Sequence, residues 1–154
     1  MYQDAIRPLL RGDLDRVRFL VQANAMFPPD MLDDMTAPFF GGAEDQRWLV
    51  LEDGHVDAVC YFVPEAMADR VWNLLLIAVD PARHGEGLGS ALMAAVEHEL
   101  AAQDIRLLLV DTSGTEAFAR TRRFYEQLGY RREAVIRDYW AKGDDKVTFA
   151  KSLS

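Results

Sequence analysis

Cysteine is almost missing from this chain: Cys60 is the only one in 154 residues. One thiol excludes an internal disulfide and any metal site built from several cysteines. Set in the apolar run AVCYFV, it reads as a buried, inert side chain. His55, His84 and His98 lack the spacing of a metal site, so no metal is expected. Long apolar runs are missing too. None approaches the roughly 20 residues that cross a bilayer, and the longest, residues 71–79, is broken by Asn73 and has the length of a strand. No membrane partner is expected. The opening MYQDAIRPLL has no basic stretch followed by an apolar one, so a secretory leader is not expected and a cytoplasmic location is. Positive charge is short: 17 basic residues face 25 acidic ones, a net charge of −8. Phosphate backbones need a basic face, so nucleic acid is an unsuitable partner, whereas a cationic ligand is compatible.

Half of the residues are hydrophobic, enough for one core and one domain over residues 1–154. After a short strand near Ile6, Asp13 is placed to cap a helix to about Ala25, with Leu14, Val17, Leu20 and Val21 on one face. Phe27-Pro28-Pro29 breaks it, Asp30 caps a second helix through Met35, and Gly41-Gly42 closes the segment. The pattern then turns to strands at residues 46–52 and 56–64 around the hairpin signal Asp53-Gly54. A third strand, residues 71–79, is apolar enough to be buried on both faces. A helix over residues 88–103 carries Leu88, Leu92, Val96 and Leu100 in a stripe. Residues 106–112 form a strand, and residues 120–128 a helix with Phe124 and Leu128 inward and Gly129 as its C-terminal cap. Two strands, residues 130–139 and 146–153, are joined by a loop containing Gly143. The expected class is α/β: a mixed, mostly antiparallel sheet of six or seven strands with about four helices on both faces.

The chemistry concentrates in LLLIAVDPARHGEGLGSALM, which reads as strand, turn, glycine loop and helix. Gly85, Gly87 and Gly89 alternate, keeping side chains out of the way of a ligand that approaches the backbone. Amide groups at a helix start carry a partial positive charge and suit an anion such as a pyrophosphate. A Walker loop would end in Gly-Lys-Ser/Thr, and Gly89-Ser90 has no lysine. A dinucleotide fingerprint would space its third glycine one residue later and follow a different strand order.

Two motifs make the resemblance specific. Ile77-Ala78-Val79 followed by His84-Gly85-Glu86-Gly87-Leu88-Gly89 resembles the strand and the R/Q-x-x-G-x-G/A loop of the GNAT N-acetyltransferases, with His84 where that family has Arg or Gln and Arg83 beside it. RRFYEQLGY, residues 122–130, resembles the family's aromatic-Tyr-x-x-x-Gly-aromatic helix. The order of elements extends the likeness over nearly the whole chain, with residues 1–70 contributing topology only.

The resemblance implies transfer of an acetyl group from acetyl-CoA, as co-substrate, to a primary amine on a small molecule or peptide. It implies that His84, Gly85, Gly87, Leu88, Gly89 and Ser90 hold the CoA pyrophosphate. Main-chain atoms of Ile77, Ala78 and Val79 would hold the pantetheine arm, with a strand N–H near Ile77 facing the thioester oxygen. Tyr125 would meet the CoA sulfur with its hydroxyl. Some members place a glutamate where this chain has Asn73, whose amide cannot accept a proton but can position a water or the amine. Glu65, Asp138 or ordered water remain as routes for deprotonation. Substrate selection would fall to residues 24–35 and to a loop at 138–145, with Phe27, Tyr139 and Trp140 as walls and Asp138, Asp144 or Asp145 as counter-charges. Arg120, Arg122 and Arg123 read as a solvated helix face or as contacts to CoA phosphates. Thr112 or Ser113 stands where many relatives have asparagine. No cysteine or other nucleophile suggests a covalent intermediate, so a ternary complex is preferred. The alternatives are another acyl-CoA donor, or a CoA-binding sensor without turnover. The last strand leaves an edge that could pair in a homodimer.

Overall fold

The computed structural model describes residues 2–154. Eleven elements carry the fold: β1 (Ile6–Pro8), α1 (Leu14–Ala23), α2 (Leu32–Phe40), β2 (Arg47–Asp53), β3 (His55–Pro64), β4 (Val71–Val79), α3 (Leu88–Ala102), β5 (Leu107–Ser113), α4 (Ala119–Gln127), β6 (Arg131–Ala141) and β7 (Asp144–Ser152). The strands form one seven-stranded sheet in the order β1-β2-β3-β4-β5-β7-β6. It is mixed and mostly antiparallel and comes with four α-helices, as the sequence led us to expect. Among the described residues no helix is long and apolar enough to cross a membrane.

Contacts divide the chain into two compact units, Met1–Val63 with Leu75–Glu99, and Pro64–Leu74 with Leu100–Ser154. In the first, β1, β2 and β3 form an antiparallel meander from Ile6↔Leu51 to Asp53↔His55, turning at Gly54 with φ +84°. Val17, Leu20 and Val21 of α1 pack into a core with Trp48, Val50, Val56, Val59, Leu76 and Ala78. There the Trp48 and Tyr61 rings stack at 4.3 Å. Asp13 precedes α1 but does not cap it. Its carboxylate instead accepts the Leu10 amide at 2.8 Å and pairs with Arg7 at 2.8 Å. The Arg7 guanidinium holds that carboxyl below its ordinary range. Asp30 lies in a 3-10 turn, and α2 starts only at Leu32 and runs on past Met35 and Pro38 to Phe40. A proline near the end of a helix costs one hydrogen bond, and the chain closes the turn through Gly41 N–H to Ala37 O.

In the second unit β5 pairs parallel with the start of β4, from Val71↔Leu107 to Leu74↔Val110. It also pairs antiparallel with β7, from Leu107↔Ser152 to Ser113↔Lys146. The ladder between β4 and β5 stops at Leu74. Beyond it the expected burial of β4 on both faces fails: Leu75 is 45% exposed, and Ile77 and Val79 are half-buried. On α4 the residue driven inward is Tyr125, at 2% exposure, while Phe124 and Leu128 are only partly buried. Gly129 has φ +91° and ends the helix in a Schellman motif, with Gly129 N–H on Glu126 O and Tyr130 N–H on Tyr125 O. The expected loop over residues 138–145 is instead strand: β6 reaches Ala141, turns through Lys142-Gly143, and β7 begins at Asp144. A bulge at Asp138, φ +56°, absorbs the surplus residues, and its carboxylate accepts the Gly143 amide at 2.8 Å.

Candidate active site

β4 ends on the half-buried Ile77, the buried Ala78 and the half-buried Val79. Asp80 then turns the chain. Its carboxylate accepts the Ala82 amide at 3.0 Å, and its own amide donates to Asp57 O at 2.8 Å. Arg83 N–H closes a 3-10 turn on Asp80 O, and the loop His84–Gly87 leads into α3. Gly85 and Gly87 both have positive φ, +86° and +87°. A Cβ at either would meet nothing within 4 Å. The glycines are thus required by the path of the chain, and they leave the face of the loop open. Ala91 N–H donates to Gly87 O, which starts the helical ladder. The amides of Leu88, Gly89 and Ser90 therefore belong to the first turn and have no partner within the helix. Leu88 itself is buried with Leu92, Met93, Val96 and Leu100, fixing the helix by its apolar stripe.

A buried carboxylate braces this loop. The side chain of Asp57, 1% exposed, accepts from Arg16 at 2.9 Å and from Arg83 at 2.7 Å and pairs with His55 Nδ1 at 2.6 Å. Arg16 also reaches Asp80 at 2.7 Å, and Arg83 also pairs with Asp53 and Glu86. Both arginines thereby tie β3 to the turn that follows β4. These acids keep Arg83 firmly protonated. The guanidinium beside His84 is thus already engaged with carboxylates. His84 Nε2 lies 3.2 Å from Val79 O, which also accepts Asn24 Nδ2 at 2.9 Å. The Asp57 brace was missed in the sequence; the signal for it was a lone acid in the apolar run of β3, since buried charges demand partners.

In the second unit, Tyr125 packs its ring 5.8 Å from both Tyr130 and Phe149, and these two rings fix its orientation. Asn73, 5% exposed, donates through Nδ2 to Glu65 Oε1 at 2.9 Å and to Asp111 Oδ2 at 3.0 Å. Ser113 Oγ donates to Asp144 at 2.6 Å, and Trp140 Nε1 to Thr112 O at 3.2 Å. Arg122 is structural: it donates to the carbonyls of Ser113 and Thr115 at 2.8 and 2.7 Å. Phe27 packs on the core of the first unit.

Burial pushes the Cys60 thiol up to about 12. At mildly alkaline pH the folded protein should therefore resist alkylation by iodoacetamide and react once unfolded, followed by intact mass. Fast labelling of the folded chain would contradict that burial.

Residues 44–132 match the model of the acetyltransferase (GNAT) domain. A GNAT-family protein from Desulfovibrio desulfuricans is 32% identical, with a TM-score of 0.88 over 97% of this chain and 99% of that one. The chain belongs to the GNAT acetyltransferase family. Two more distant structures share the fold. The ribosomal-protein-S18-alanine N-acetyltransferase of Escherichia coli is 22% identical, TM-score 0.77, over 97% of this chain and 93% of that one. An aminoglycoside 6'-N-acetyltransferase complexed with coenzyme A is 17% identical, TM-score 0.75, over 97% of both chains. No curated protein matches the chain by sequence.

Proposed function

We propose that the chain moves an acetyl group from acetyl-CoA to a primary amine by direct transfer in a ternary complex, in the cytoplasm. The observation that carries this is the open bend at Gly85 and Gly87 running into the first turn of α3 in a GNAT domain. A cradle whose Cβ positions are empty fits a diphosphate, because its oxygens need close approach to several amides at once. Gly85, Gly87, Leu88, Gly89 and Ser90 hold the diphosphate through their amides, with His84 at its edge. Ile77 and Ala78 hold the pantetheine arm, together with the N–H of Val79, whose carbonyl Asn24 and His84 already engage.

The amine nitrogen attacks the thioester carbonyl carbon. The oxyanion is met by a strand N–H near Ile77, the C–S bond breaks, and the nitrogen loses a proton to a carboxylate or ordered water. The departing thiolate takes a hydrogen bond from the Tyr125 hydroxyl and leaves as the anion, its charge balanced by the proton that the nitrogen gave up. A phenol is ordinarily a weaker acid than a thiol, so its main contribution is a bond that strengthens as charge builds on sulfur. Tyr125→Phe retains the ring that packs on Phe149 and Tyr130. It should lower turnover roughly 100-fold in a thiol-release assay over an amine panel, a typical loss for general-acid catalysis, while acetyl-CoA affinity stays unchanged. Equal turnover would remove Tyr125 from the chemistry. Binding of acetyl-CoA with no acceptor-dependent thiol release would favour a sensor over an enzyme.

A further inference from the structure

The sheet ends in two very different edges. β1 has three residues, one of them Pro8, and is too short to recruit another strand. β6 runs for eleven residues without a proline, and every one of them is exposed. Val135 and Ile136 are 48% and 47% exposed, although neighbours on a strand point to opposite faces. Neither face of β6 is therefore buried by its own chain. With Tyr139 and Trp140 it carries four of the nine large apolar side chains that stand exposed among the described residues. Unpaired edges are ordinarily kept single by charges and bulges, and β6 has both. The bulges leave Ala134–Ile136 as a regular stretch, with Val135 at its centre.

The charges are arranged about the same centre. When a second β6 lies antiparallel with Val135 on Val135, Glu133 faces the partner's Arg137 and Arg132 faces the partner's Asp138. Each pair occurs twice by symmetry, and opposite charges across an antiparallel pair attract. The neighbouring registers fail. Centred on Ala134, Arg131 would face the partner's Arg137; centred on Ile136, no opposite charges meet. Centred on Glu133 or on Arg137, that residue would face itself. Both inner partners are available. Glu133 pairs within its chain only with Arg131, and its side chain stays 46% exposed. Arg137 forms no ion pair among the described residues. We propose that β6 is a homodimer interface, in which two copies pair antiparallel about a twofold axis at Val135 and continue the sheet from one chain into the next. The edge that pairs is β6 and not the last strand, because β7 lies inside the sheet between β5 and β6. The proposal is independent of the acetyl-transfer reading.

The test is sedimentation velocity of the whole chain over a range of concentrations, without CoA. The expected mass at micromolar concentration is that of two chains. Glu133→Arg turns two attractive pairs repulsive and should weaken the dimer about tenfold or more. Adding Arg137→Glu to it restores the attraction with the signs exchanged and should bring the dimer back. Both side chains are exposed, so the variants keep the fold, and an unchanged Tm verifies this. Cross-linking reads the register directly. Facing residues of an antiparallel pair have Cα atoms about 4.5–5.5 Å apart, within the span of a disulfide. Val135→Cys should therefore join two chains on mild oxidation, seen on a non-reducing gel. Arg131→Cys, at a side chain 74% exposed, faces the partner's Tyr139 and should not. The native Cys60 is buried and stays out of the reaction. A single-chain mass at every concentration overturns the interface. So does a dimer that Glu133→Arg leaves intact or that Arg137→Glu fails to restore, and so does equal cross-linking at both positions.

Discussion

Replacing Gly87 by valine is expected to weaken acetyl-CoA binding about 100-fold, a loss of about 2.7 kcal/mol. Two effects act together. Gly87 sits at φ +87°, where a side chain costs about 1–2 kcal/mol and a β-branched one more. The new Cβ would also stand in open space on the face where the proposed diphosphate site lies, since nothing in the protein lies within 4 Å of it. The free protein therefore suffers no clash and should still fold, with a Tm only a few degrees lower by differential scanning fluorimetry. Gly12 is an informative control: a Cβ there also meets nothing within 4 Å, and its φ is not in the left-handed region. Gly12→Ala should leave cofactor affinity unchanged. Undiminished binding by Gly87→Val would mean that the loop does not grip the ligand through its backbone.

Asp57→Asn should lower stability by about 3 kcal/mol and Tm by roughly 10 °C. A buried carboxylate that pairs with Arg16 and Arg83 leaves those two guanidinium groups facing an amide when it is replaced. Asp80, Asp53 and Glu86 retain part of the network, which keeps the cost at the low end for a buried pair. Arg83 lies just ahead of the glycine bend, so acetyl-CoA affinity should fall with stability. Thermal unfolding and cofactor titration of the same variant check both. A variant with unchanged Tm would show that the network contributes no more than a surface pair.

The sequence carried the sheet, the four helices and the glycine bend because each announced itself locally. Gly85 and Gly87 mark positive φ directly, and the apolar stripe of α3 and the glycine after Leu128 set the limits of helices. What it could not carry depended on partners far along the chain. Asp13 looks like a cap, but Arg7 and Leu10 compete for its carboxylate. The stretch around Asp138 looks like a loop because of its glycine and acids, yet pairing with β7 extends it as a bulged strand. The links from Asp57 to Arg16 and from Asn73 to Asp111 join residues distant in sequence, and no spacing rule connects them. Likewise Phe124 and Tyr125 are adjacent on α4, and packing against Tyr130 and Phe149 selects Tyr125 for burial.

The account turns on whether the bend at Gly85 and Gly87 holds a diphosphate. Calorimetric titration with coenzyme A and, separately, with pantetheine, which ends before the diphosphate, tests it most directly. The predicted result is one-to-one binding of coenzyme A and affinity for pantetheine lower by a hundredfold or more, about 2.7 kcal/mol. Equal affinity for the two, or no heat with coenzyme A, would contradict it.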